Sequence, residues 1–238
     1  MPWQLQSVRF TAFVMPDVVL PSDLWASVVG GEPETSVYQR AIALRQETGA
    51  FLDGRATLNI QPARVDLLLE AAGLPGPTPP TLGPFPDGVR SFIDAVRRWV
   101  RSEGFLPVRR LALGMVLVSP AATRELGHEQ LREFIDAVPR GEASDFLYQV
   151  NRWRRSTSGV ENLLVNRLSK WSVTAVQLMM LGAGMTNLGV THTFVNLELD
   201  LSSSAEFSGP IPRDRVEAVI DDLVAAAGEV ATRGDRLG

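Results

Sequence analysis

Cysteine is absent from the 238-residue chain. That excludes a disulfide framework, a thiolate metal site and a cysteine nucleophile. Histidine is almost as scarce, with His128 and His192 alone. A zinc site needs three or four ligands, and the helical zinc-protease motif sets two histidines four residues apart. Arg132 stands at that position after His128. A Ser-His-Asp triad would have to recruit one of the same two histidines, and there is no Gly-x-Ser-x-Gly elbow to carry its serine. The phosphate-loop Gly-Lys-Ser/Thr motif is missing as well. Residues 182–189 begin like a dinucleotide fingerprint, but Asn187 occupies the place of the third glycine and a strand-like stretch follows. The fingerprint needs a helix there, so this segment reads as a hairpin loop. No metal, no cofactor and no catalytic residue is assigned.

Long apolar runs are missing too. The longest candidate, Leu178-Met179-Met180-Leu181, closes on Gly182, far short of the ~20 residues of a spanning helix. The N-terminus has neither the basic nor the apolar region of a signal peptide. A cytoplasmic protein with no membrane contact is the expectation.

What is present is arginine. Lys170 is the only lysine beside 22 arginines, a bias that reads as the coding habit of a GC-rich bacterial genome. The charge is unevenly placed. Residues 1–75 hold 5 basic and 8 acidic side chains, residues 76–170 hold 14 and 10, and residues 171–238 hold 4 and 9. A mildly positive middle thus lies between two negative ends, a weaker field than that of a dedicated nucleic-acid binder.

The order of elements points to an internal repeat. Val8-Arg9-Phe10-Thr11-Ala12-Phe13-Val14-Met15 is echoed by Val108-Arg109-Arg110-Leu111-Ala112-Leu113-Gly114-Met115. Each copy opens a strand followed by a short helix, further strands and a long amphipathic helix. Period-2 alternation marks strands at 64–70 and 193–202. Apolar stripes mark helices from Asp87 to Glu103 and from near Pro212 onward. Residues 73–88, with six prolines and four glycines, read as an extended connection. Residues 171–181, apolar on both faces, read as a buried central strand. The expected fold is α+β: two pseudo-repeated β-α-β-β-β-α halves, 1–104 and 105–238, each an antiparallel sheet with one long helix packed on it.

Residues 92–118 carry a helix leading into a strand with arginines at its start. Residues 194–230 carry a strand alternating with acidic residues and then a long closing helix. In these two stretches the chain resembles a sporadically distributed bacterial family of about this length and unknown function. That resemblance implies a fold and no activity. The two-half plan also resembles the duplicated units of TATA-binding-protein-like folds, in topology alone.

The best binding candidate is Asn151-Arg152-Trp153-Arg154-Arg155, joined by Arg167 and Lys170 on the next segment and by Arg97, Arg98 and Arg101 on the preceding long helix. Arginine beside an exposed indole suits recognition of an acidic protein surface or stacking on a base. The leading reading is a non-catalytic binding or assembly protein of a bacterial multi-component system that docks a protein partner through this basic middle. A nucleic-acid-binding subunit is one alternative. A hydrolase or transferase is the other, with Glu198 and Asp200 near Arg152 or Arg167 in a cleft. A homo-oligomer is compatible with each of these readings.

Overall fold

In a computed structural model, all but residues 1, 17, 74–75, 77, 139–142, 144, 183–184 and 236–238 are described, without the side chains of 178–190. The first half contains β1 (Gln4–Val14), α1 (Leu24–Val28), β2 (Thr35–Gln39), β3 (Leu44–Phe51), β4 (Gly54–Gln61), β5 (Arg64–Ala71) and α2 (Asp87–Arg101). The second contains β6 (Val108–Ala121), α3 (Arg124–Leu131), β7 (Leu147–Arg155), β8 (Leu164–Gly182), β9 (Met185–Ser203) and α4 (Val216–Arg233).

These strands form one sheet, in the order β2-β3-β4-β5-β1-β6-β9-β8-β7, antiparallel throughout. This corrects the expected fold class. The chain is 43% strand and 25% helix, with four helices, so it is a single sheet-dominated layer rather than two sheets with one helix each. The physical reason is the pairing of β1 with β6, which runs from Gln4↔Val118 to Val14↔Val108. A strand opening each half would expose a row of unpaired backbone groups if the halves kept separate sheets. Pairing the two removes both edges from the middle of the molecule.

Two local readings also change. Residues 171–181 do not form a strand of their own, because β8 runs unbroken from Leu164 to Gly182. It lies next to the edge strand β7, not at the centre of the sheet. The hairpin loop read at 182–189 shortens, since β8 reaches Gly182 and β9 starts at Met185. Ala183 and Gly184 lie outside the described residues, as do the side chains of Leu178-Met179-Met180-Leu181.

Because strand side chains alternate between faces, each register fixes one side. Val8, Phe10 and Ala12 of β1, Leu67 of β5, Leu113 of β6 and Leu197 of β9 all point to one side and are fully buried or nearly so. All four helices cover this side. Trp99 of α2 meets Phe10 edge-on, with ring centroids 6.1 Å apart. Gly127 of α3 lies so close to Val173 of β8 that a Cβ there would come within 2.9 Å of it. Trp25 of α1 lies against Gly49 of β3. Beside α4, Trp3 donates its indole N–H to the Ala231 carbonyl at 2.9 Å. Phe134 stacks on Trp171 at 5.5 Å. Among the described residues no helix covers the opposite side, which carries polar and charged groups such as Arg9, Thr57, Asn59, Glu198 and Asp200. No helix among the described residues is long and apolar enough to cross a membrane.

Candidate partner-binding site

The arginines of the basic middle divide into three groups, and alternation along β7 makes the first division. Tyr148, Val150, Arg152 and Arg154 point to the helix side, while Leu147, Gln149, Asn151, Trp153 and Arg155 point to the open side. On the helix side the tail of the chain is waiting for them. Arg152 Nε donates to Asp235 at 2.6 Å, and that bond raises its pKa. Arg154 Nη2 donates to Asp222 Oδ1 at 2.6 Å. Arg167 of β8 donates to Glu229 at 3.1 Å.

Asp222 is the centre of this contact. Its side chain is 1% exposed, and it takes four hydrogen bonds besides a nearer-limit contact from Arg154 to its carbonyl. Ser156 Oγ reaches it at 2.6 Å, the Thr157 backbone N–H at 2.9 Å and Thr157 Oγ1 at 2.8 Å, in addition to Arg154. Burial pushes its pKa up, but the donors Ser156, Arg154 and Thr157 more than offset that and hold it below the ordinary value. The Ser156-Thr157-Ser158-Gly159 turn therefore ties the β7–β8 hairpin to α4.

The second group lies on α2. Arg97 donates to Asp94 and Asp221, and Arg101 makes a two-pronged contact with Glu217 at 2.9 and 2.6 Å. Arg98 is exposed and has no carboxylate partner among the described residues. The positive middle and the negative tail are thus two sides of one internal interface. Much of the expected patch faces this chain's own carboxylates.

The third group remains on the open side. Trp153 is 69% exposed, whereas the other four tryptophans are each at most 5% exposed. Leu147, on the same face of the same strand, is 61% exposed. Arg155 is exposed and has no carboxylate partner among the described residues. Lys170 also faces this side, paired with Glu198 at 2.7 Å. Beside them a shallow cavity of about 460 Å³ lies over the centre of the sheet, lined by Arg9, Gly114, Gln149, Lys170, Glu198 and Asp200 among others. Gly114 leaves room there for Arg9, whose Nη2 lies 3.9 Å from Asp200. The sequence reading missed this hollow. Its signal was available in the alternation of 108–118, which places Gly114 on the polar face.

The carboxylate/arginine cleft of the enzyme reading does not form from the residues named for it. Glu198 and Asp200 lie on the open side, and Arg152 and Arg167 on the helix side. Among the described residues no three of His, Cys, Asp or Glu converge on a metal-sized site. His128 is buried edge-on against Phe146, with centroids 6.1 Å apart. Burial, with Arg132 and Arg124 nearby, lowers its pKa.

β7 is an end strand of the sheet, with nine residues against five in β2 at the other end. Its outer edge has no partner strand among the described residues. No family model matches the chain, and no curated protein matches it either.

Proposed function

We propose that this chain is a non-catalytic binding protein of a bacterial multi-component system, and that it docks an extended segment of a protein partner beside β7. The observation that carries the reading is the exposed row Leu147–Trp153–Arg155 on one face of a long end strand. An added strand would satisfy the backbone groups of that edge, each hydrogen bond contributing about 0.5–1.5 kcal/mol. Alternate side chains of the added segment would then lie against Leu147 and Trp153, and an acidic residue would meet Arg155. Indole and guanidinium groups are the side chains most enriched where binding energy concentrates.

The internal pairing of Arg97, Arg101, Arg152, Arg154 and Arg167 speaks for a protein partner over nucleic acid, since phosphate recognition draws on cations that are free to release counterions. Trp153 is also the probe. Iodide quenches exposed indoles, and here one of five is exposed. Co-expression with the products of adjacent genes is the source of partners. A true partner shields Trp153 from iodide, and Trp153→Ser and Arg155→Glu each weaken the complex at least about tenfold. Binding unchanged by both substitutions refutes the site. Affinity for nucleic acid that falls steeply with salt refutes the partner class.

A further inference from the structure

Where β1 ends, β6 carries one residue more than its partner strand. Phe13 pairs with Arg110 and Val14 with Val108, so Arg109 is left over as a β-bulge. In a regular strand consecutive side chains leave opposite faces. A bulge breaks that rule and re-aims a side chain. Here it brings two consecutive arginines, Arg109 and Arg110, to the wall of one cavity of about 410 Å³.

The rest of the wall is largely apolar, with Phe13, Met15 and Phe207, but Ser204 and Ser208 also line it. No carboxylate is among the described lining residues. This sets the pair apart from Arg97, Arg101, Arg152, Arg154 and Arg167, each of which has a carboxylate partner. Arg109 is exposed and has none among the described residues. Arg110 is held by groups that leave its charge uncancelled. Its guanidinium lies 4.9 Å from the centroid of the Phe13 ring, and Nη2 donates to Ser202 Oγ at 2.9 Å. Its Nε is buried without a hydrogen-bond partner. The Ser204 hydroxyl accepts from the Glu206 N–H at 3.1 Å, which leaves its own proton to donate.

We propose that this cavity binds a small organic phosphate, a ring-sized apolar body carrying one phosphate monoester. The charge argument selects the head group. Two guanidiniums with no lining carboxylate match a group of nearly two negative charges, and guanidinium–phosphate contacts are among the stronger hydrogen bonds. The apolar wall selects the body, which would lie against Phe13 and Phe207. The volume falls within the ordinary range of small-molecule sites, about 300–1,000 Å³.

Phenyl phosphate is the probe, titrated calorimetrically into the full chain. The expected result is saturable binding at one site, with inorganic phosphate and benzyl alcohol each binding at least about tenfold more weakly. Arg109→Gln weakens phenyl phosphate binding at least about tenfold, the loss of one charge-assisted contact. Arg98→Gln, an exposed arginine on α2 without a carboxylate partner, leaves it unchanged. Arg110→Gln also loosens Phe13, so Arg109→Gln is the cleaner variant, and an unchanged melting temperature shows that it folds. Phe13→Leu tests the apolar wall and weakens phenyl phosphate more than inorganic phosphate. The proposal falls if phenyl phosphate does not saturate the wild-type chain at millimolar concentration. It falls equally if Arg109→Gln and Arg98→Gln have the same effect, or if inorganic phosphate binds as tightly as the ester. Trp153→Ser and Arg155→Glu leave this binding untouched, so the site stands or falls apart from the docking surface at β7.

Discussion

The two faces of β7 carry neighbouring residues of one arginine-rich motif and use them in opposite ways. On the helix side Arg152 and Arg154 end on Asp235 and Asp222. On the open side Trp153 and Arg155 end in solvent. A one-residue step along a strand separates a structural ion pair from a candidate contact. Composition describes both groups as a basic patch, and only the alternation of the strand tells them apart. The helix-side face should therefore answer to stability measurements and the open face to binding measurements.

On the helix-side face of β7 the largest effect is expected from removing Asp222, the carboxylate that meets it. Asp222→Ala leaves Arg154 without its partner and removes the acceptor of Ser156 and Thr157. Breaking a buried pair by deleting one member costs about 3–5 kcal/mol, and Arg154 is still partly open to water, so the lower end applies. Urea unfolding of Asp222→Ala should show a loss of about 3 kcal/mol. A loss under about 1 kcal/mol would mean that the hairpin and α4 are held by their apolar contacts alone.

The same carboxyl sets a pH dependence. Its folded pKa is depressed, so the folded state binds its proton less readily than the unfolded chain does. The stabilisation is complete above the unfolded value, ~3.9. It is lost as pH falls below that value and through the lower folded one. Acid unfolding curves of the wild-type chain and Asp222→Asn should differ most near neutral pH and converge as the pH falls below ~3.9. A constant gap across that range would show that Asp222 does not contribute through its charge.

Glycine gives a second contrast between the faces. At Gly127 of α3 a Cβ would approach Val173 Cγ1 to 2.9 Å, with Ala121 behind it at 3.5 Å. Gly127→Val forces that packing apart and should cost about 1–3 kcal/mol. At Gly114 on the open face the nearest atom to a new Cβ is the terminal nitrogen of Arg9, at 3.3 Å. That side chain is flexible and 40% exposed. Gly114→Ala should therefore change stability by less than about 0.5 kcal/mol. Thermal melts of the two variants check the pair. An equal cost at both sites would show that the open face is packed as firmly as the helix side.

Legibility in the sequence followed the range of each interaction. The strands at 64–70 and 193–202 and the apolar stripes of α2 and α4 were readable because period and composition act within a few residues. Capping is equally local: the Thr123 Oγ1 accepts from the Leu126 N–H at 3.2 Å, three residues on. The union of the strands into one sheet was not readable. It depends on Val8 meeting Met115 and Phe10 meeting Leu113, and no local pattern states which distant strand completes an edge. The site divides in the same way. Alternation alone separates Trp153 from Arg152 and Arg154, whereas the carboxylates that occupy those arginines lie on α4 and beyond, 83 and 68 residues further along the chain. The uneven charge of the middle and the tail was the one visible sign of that closure, and it fitted an external partner equally well.

The smallest effect on stability is expected at Trp153, and the smallness is the point. Most of its indole is in water, and its neighbours on that face of β7, Asn151 and Arg155, are exposed as well. Replacing a buried tryptophan typically costs about 3–5 kcal/mol, as Trp171→Ala should, because Trp171 is fully buried against Trp3 and Phe134. Trp153→Ser removes almost no contact and should fall within about 0.5 kcal/mol of the wild type. Urea denaturation followed by far-UV circular dichroism measures both variants without relying on indole fluorescence. A cost at Trp153 approaching that at Trp171 would mean that the indole is covered in solution, by the chain itself or by a second copy. Concentration dependence of the midpoint separates those two, since a second copy stabilises by mass action and an internal contact does not. A cost near zero leaves the indole free on the end strand, where a partner's extended segment would bury it.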